Sequence, residues 1–582
     1  MKLSSAGFFS LVALFYLGAI SYITYPLVFH LGTLSYGVGD EVLVAYFHAW
    51  VQHTLFTNPL SLFQANIYFP YHNTFAYSEP FILTSILTYI PVKLIGQPIA
   101  ATNLAYLFGL FSLASSTCFT AYYFTRNRLT ACISGFLILF SPYVIDKAVQ
   151  VQVILCCFVP LSWICLTEFL KTKQVTYWYL LLICFVLQFY TSLMPAYFLL
   201  ISNGIILLFF ILKDKSSMRL FLQRNVLTSA VISLFLILPL ILPFYHVSKE
   251  FSYVRDIRDT IHFALQPEDL LYPNYHTRLQ PFLSHILIPP TSTPVGEVKA
   301  GYIGAVFSLL LLFSYGYIFW ERKTMQNEVW IFTVISLSGL MLSFGSFLHL
   351  GRVTIHHPFP IPLPYLLTYY LIPGFQAFRN SSRFEMLFII AGSILIAQVL
   401  GAFLKNKSPK TQLLFVGLLL IGIVGEYNIP MTFYSIPSVS QFPQIEQDIA
   451  KLPSGSTLIH LPIYTWDMQP YNQIEIDREY YSTIHFKQMV NGYSGFSPLP
   501  WQDLVRNLDI NFPNSSSLSV LRSLQVNYLV FHEKEYDTLH QTHFLINKHE
   551  VKSGEEIRDK LFLEKSLKLI KQEGSDYLFK VL

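Results

Sequence analysis

Apolar runs of about 20 residues recur along the chain from Gly7 to Ile429, each long enough to cross a hydrocarbon core of about 30 Å as a helix. Eleven spans are predicted, at about 7–29, 99–124, 129–145, 150–170, 176–190, 194–212, 226–245, 300–320, 328–348, 384–404 and 411–429. The stretch 80–95 is shorter and holds Pro80 and Pro91. It reads as an interfacial helix within the first long loop, not as a crossing. The opening run is too long for a signal peptide and has no A-x-A-like site after it, so it reads as a retained helix. Beyond residue 430 the pattern changes to ordinary soluble charge density with no 20-residue apolar run. There Leu458 to Pro462 and Val526 to Val530 read as strands, and Leu518 to Leu524 as a short helix feeding the second. The fold class expected is a polytopic α-helical membrane protein with a C-terminal extracytoplasmic α/β domain. Residues 1–430 form the transmembrane domain, with long outer loops 30–98, 246–299 and 349–383, and 431–582 the outer domain.

Composition supports the membrane reading. The chain is 53% hydrophobic and 12% charged, with mean hydropathy +0.47, against about 25% charged in soluble domains. The net charge of +4 sums over two sides of a membrane and says little about partners; no nucleic-acid partner is expected. All six cysteines lie in or beside spans, so no disulfide framework is expected outside the membrane. Charge sets the orientation. With Lys2 in the cytoplasm, the links 125–129, 171–175, 213–224, 321–327 and 405–410 are cytoplasmic, and these 35 residues carry thirteen Lys or Arg. The opposite loops are several times longer and carry about ten, the positive-inside pattern. Counting 80–95 as a crossing would put Arg126 and Arg128 outside.

Long structured loops are usually functional, and here they face outward. The first, His30 to Gln97, is 68 residues with one basic residue, Lys93. It carries Gly39-Asp40-Glu41 at the head of a helical pattern over 41–56. Glu41, His48 and Gln52 fall near one face and Val44, Phe47, Val51 and Leu55 on the other, which predicts an interfacial helix with its polar edge toward a cavity. Asp40 is expected at the N-cap; a capping role alone would also explain an aspartate there. Glu79 follows in a turn-rich aromatic segment suited to a sugar ring or to an ordered loop. In the second loop Arg255 and Arg258 are spaced to grip a phosphate, or to pair with Asp256 and Asp259. Glu297 stands at the mouth of the next span, where a carboxylate needs a cavity or partner. Arg383 opens the tenth span from outside, placed to hold a lipid phosphate or to snorkel as an anchor. His356-His357 lacks the i,i+4 spacing of a metal pair. No Walker A sequence, H-E-x-x-H, G-x-S-x-G or C-x-x-C is present, and charged residues are scarce in the span centres, which counts against ion-coupled transport.

These features resemble the GT-C superfamily of membrane glycosyltransferases. The resemblance covers roughly residues 1–430. It rests on a first crossing followed by a long outer loop with Gly39-Asp40-Glu41, then Ser141-Pro142, the outer arginines and an outer C-terminal domain. Within the superfamily the chain is most similar to YfhO-like multi-pass proteins, through Pro373-Gly374-Phe375, Arg379, Arg383-Phe384, Tyr480 to His485 and Val490 to Phe496. The resemblance implies transfer of a sugar from a polyprenyl-phosphate donor to a lipid, polymer or protein acceptor outside the cell membrane. It implies Asp40 as general base with Glu41 as the second acid, and Arg383 or Arg255 and Arg258 on the donor phosphate. Glu79, Glu297 and His48 would position the sugar or a metal. Members differ in their need for a divalent cation such as Mg or Mn, so that cofactor stays open. Two other readings are a lipid-linked glycan flippase, which would tolerate Asp40→Asn, and a non-catalytic envelope assembly protein, whose tail alone would retain binding.

Overall fold

The computed structural model describes residues 4–273, 277–287, 301–350, 353–354, 359–427 and 431–582. Glu297, His356 and His357 lie outside them. The chain divides into two compact units: Met1–Phe29, Leu104–Leu240 and Tyr253–Thr432 in one, and His30–Asn103, Ile241–Ser252 and Phe433–Leu582 in the other.

The first unit is helical. Among the described residues six helices are long and apolar enough to cross a membrane, and a bent pair, Arg128–Leu139 with Pro142–Ile154, would make a seventh. This is a multi-pass membrane protein. The expected spans at 176–190, 300–320 and 328–348 are occupied by shorter apolar helices, Val175–Thr191, Ala305–Trp320 and Asn327–Ser343. The spans expected at 129–145 and 150–170 divide differently. The helix from Arg128 stops at Leu139, Pro142 restarts it at 44°, and the next helix begins at Phe158. Proline lacks the N–H that a continuous helix would need at that point.

Glu385–Leu404 is the central helix of this unit, buried along nearly its whole length against Asn327–Ser343, Arg128–Leu139 and Ala305–Trp320. Small residues let the backbones approach. A Cβ on Gly339 would lie 2.6 Å from the Phe388 amide nitrogen, and one on Gly135 would overlap the Tyr16 hydroxyl. Arg224–Phe251 and Pro409–Glu426 instead leave most of their apolar surface outward, as lipid-facing helices do.

The second unit holds a five-stranded sheet in the order Leu567–Glu573, Asp576–Val581, Tyr528–His532, Thr457–Leu461, Gln488–Met489. Thr457–Leu461 runs parallel to both its neighbours, and the last two strands of the chain form an antiparallel hairpin. Both central strands are buried throughout. They coincide with the two runs expected to be strands, and Ser515–Ser523 is the expected short helix.

The first long loop belongs to this unit. The Met489 amide donates to the Asn66 carbonyl (2.7 Å), and the Phe69 and Tyr68 amides donate to the carbonyls of Met489 and Asn491 (2.9 Å each). Residues 66–69 thus extend the sheet edge. Asp40–Thr57 packs on Gln473–Tyr481. The Tyr46 hydroxyl donates to Asn66 Oδ1 (2.7 Å), and Asn66 Nδ2 donates to the Lys487 carbonyl (3.0 Å). The motif Val490 to Phe496 closes this joint. Asn491 brackets the His460 backbone, accepting from its amide (2.8 Å) and donating to its carbonyl (3.0 Å). A Cβ on Gly492 would lie 2.6 Å from the Tyr68 ring.

Candidate active site

Asp40, Glu41, His48 and Glu79 lie in the second unit, and Arg255, Arg258 and Arg383 in the first. Gly39 is the N-cap of Asp40–Thr57, and Asp40 is its first residue. This corrects the expected capping role: a helical first residue cannot fold its carboxylate back as a cap does. Both acids remain in the first turn, where the helix dipole favours negative charge.

The two neighbours differ in environment. Asp40 is exposed. Glu41 is 3% exposed, and its Oε1 has no hydrogen-bond partner. Its carboxylate lies over Gly37, where a Cβ would sit 2.6 Å from Oε1, so a side chain there would push the Glu41 carboxylate aside. Burial pushes the Glu41 carboxyl up to about 7, the Asp40 charge adds to this, and the backbone N–H groups of Glu41 and Gly39 oppose it. The turn is held from the tail by Gln473, whose Nε2 donates to the Val38 carbonyl.

His48 is fully buried. Its Nδ1 pairs with the Val44 carbonyl (2.8 Å), its Nε2 with Thr84 Oγ1 (3.2 Å), and its ring stacks on Phe81. Burial lowers its pKa to about 4. Gln52 is buried beside it and donates to the Ser85 carbonyl (2.9 Å). Both side chains bind the helix to Ile82–Ile95. The expectation of an interfacial helix with a free polar edge is corrected here, because 41–54 is buried on nearly every face. Glu79 is half-buried.

In the first unit Arg258 is 85% exposed in its side chain and pairs with Asp256 at 2.7 Å. Of its two expected roles it adopts the solvated charge cluster. Arg255 Nε donates to the Tyr253 hydroxyl (3.0 Å) over the same ring. Arg383 differs. It is half-buried, Nε is buried with no hydrogen-bond partner, and Nη1 points at Met194 Sδ, 3.9 Å away. A thioether is a weak acceptor, so this guanidinium keeps strong donors for an anion.

Two residues escaped the sequence reading. Lys147 and Glu385 are buried in the membrane-spanning unit. The signal for Lys147 was a lone lysine five residues after the Ser141-Pro142 break. Glu385 was hidden in a polar segment read for its arginines. Among the described residues no group of three or more His, Cys, Asp or Glu is placed to hold a metal ion.

The fold is shared with solved structures of an arabinofuranosyltransferase. The chain is similar to the cryo-EM structure of the arabinofuranosyltransferase AftD from Mycobacteria, with TM-score 0.52 and 10% identity over 100% of this chain and 40% of that one. A mutant of the same enzyme gives TM-score 0.57 and 11% identity over 100% of this chain and 42% of that one. The chain thus spans about two fifths of the length of these structures. The sequence matches no protein-family profile and no curated protein sequence.

Proposed function

We propose that the protein is a glycosyltransferase that moves a sugar from a polyprenyl-phosphate donor to an acceptor on the extracytoplasmic side of the cell membrane. The observation that carries this reading is the exposed Asp40 beside the buried Glu41, at the start of a helix in a GT-C fold. Asp40 takes the proton of the acceptor hydroxyl as its oxygen attacks the anomeric carbon. The bond from that carbon to the phosphate oxygen breaks, and the electron pair leaves with polyprenyl phosphate. A positioned base of this kind contributes roughly 10²–10⁴-fold. Arg383 meets the phosphate, where negative charge grows. Glu79 positions the sugar. The basic links favour an N-terminus in the cytoplasm and residues 431–582 outside.

A second reading gives the base to Glu41, favoured by its carboxyl lying near 7, the range suited to a base at neutral pH. The test is donor turnover by the reconstituted protein carrying Asp40→Asn or Glu41→Gln, with and without Mg²⁺ or Mn²⁺. Loss in Asp40→Asn of about 10²-fold or more, with Glu41→Gln less affected, is expected. The reverse order would assign the base to Glu41.

A further inference from the structure

We propose that Gln473 is a positioning residue for Asp40, and that the tail serves the reaction by fixing the turn from which Asp40 acts. This rests on the reading of Asp40 as the base given above. The tail grips the approach to Asp40 at successive points. The Ile436 amide donates to the Thr33 carbonyl (2.9 Å). Leu34 and Ser35 pair antiparallel with Ser435 and Tyr434. The Tyr36 ring lies 5.2 Å from that of Phe433. Last comes Gln473. Its Nε2 donates to the Val38 carbonyl, and its Oε1 lies 3.6 Å from where a Cβ on Gly39 would be. Asp40 follows as the first helical residue.

The segment needs such ties. A two-stranded ribbon is marginal by itself, and this one is two residues long on each side. Residues 36–39 are neither helix nor strand. Irregular segments move more than the elements they join, and a catalytic group placed after one is held accurately only by locked neighbours.

The Gln473 amide is itself locked. Its Nε2 also donates to Asp477 Oδ1, 3.2 Å away and one turn along Gln473–Tyr481. Burial raises the Asp477 carboxyl to about 6, so it is ionised at neutral pH. A carbonyl and a carboxylate both only accept, so the amide can serve them only with its nitrogen. The helix carrying Gln473 and Asp477 also packs on Asp40–Thr57. One tail helix therefore braces Asp40 from the turn before it and from the helix it opens.

A base must lie within hydrogen-bond reach of the proton it takes. Holding Val38 and Gly39 in place therefore bears on the chemical step and not on substrate binding.

The experiment follows release of polyprenyl phosphate from polyprenyl-phosphate sugars by the reconstituted full chain, with a cell-envelope extract supplying the acceptor. A misplacement of about 1 Å can cost about 10²-fold, so Gln473→Ala is expected to lower kcat roughly 10- to 100-fold. The donor KM and the melting temperature are expected to stay at wild-type values. Gln473→Glu keeps the size and lacks the N–H, and the same loss is expected. If Gln473 acts only through Asp40, the double variant Asp40→Asn with Gln473→Ala turns over no more slowly than Asp40→Asn alone. Amide hydrogen exchange over residues 36–43 is expected to quicken in Gln473→Ala. Wild-type kcat in Gln473→Glu would overturn the proposal, as would unchanged exchange over 36–43. A further loss in the double variant, or a raised KM at unchanged kcat, would assign Gln473 to general structure or to substrate binding and overturn it while leaving Asp40 as the base. Wild-type turnover in Asp40→Asn would instead overturn the reading of Asp40 beneath it.

Discussion

At the scale of single residues, burial separates two acids that are chemically alike. Asp40 is exposed and Glu41 is folded over Gly37, so one can meet a substrate while the other shapes the turn. Glu41 has its folded value raised to about 7, above its usual 4.5. A raised acid favours the folded state while protonated, so stability falls as pH rises from about 4.5 to 7. Glu41→Gln should therefore melt higher than wild type at pH 8, by up to about 3 kcal/mol, and converge on it at pH 4. Thermal unfolding in detergent across that range checks this; a constant offset at every pH would contradict it. The acid pair and Arg383 were legible in the sequence as residue types at telling positions. The difference between Asp40 and Glu41 was not, because burial is set by Gly37 beneath and Gln473 from the tail, more than 400 residues away.

At the scale of elements, the tail is held by a charged cluster inside it. Arg478 Nη1 donates to Glu475 (2.6 Å) and to the Pro462 carbonyl (2.7 Å), and Nη2 donates to Glu535 (2.7 Å). Glu475 is fully buried and also accepts from the Tyr464 amide and Asn491 Nδ2. Arg478→Met would leave Glu475 buried without its cation and should destabilise the protein by about 3–5 kcal/mol. Denaturant or thermal melts test this, and a change under 1 kcal/mol would show that the pair is dispensable. The two central strands were readable because each is a short apolar run beside turn residues, a local signal. The joint between the first loop and the tail was not. Tyr480 to His485 and Val490 to Phe496 stood out as motifs, but Asn491 on the His460 backbone and Gly492 under Tyr68 link segments that no local pattern connects. Helix 40–57 misled for the same reason: its polar face is covered by partners distant in sequence.

At the scale of the whole molecule, the account requires the first loop and the tail to face away from the cytoplasm. The six native cysteines lie in membrane helices or at their breaks, five of them buried, so introduced ones can report sidedness. Ser440→Cys should react with a membrane-impermeant thiol reagent on intact cells and Lys407→Cys should not; the opposite pattern would invert the topology. Among the described residues six helices reach spanning length alone, fewer than the eleven spans read from hydropathy, because several apolar runs fold as helices of 15 to 17 residues that length alone does not qualify. The measurement that bears most directly on function is sugar transfer by the purified protein in lipid, offered a panel of polyprenyl-phosphate sugars. The account predicts turnover of at least one donor by wild type, with release of polyprenyl phosphate, and its loss in correctly folded Asp40→Asn. Lipid-linked sugar crossing the bilayer unchanged, at the same rate in both proteins, would contradict it and make the protein a flippase.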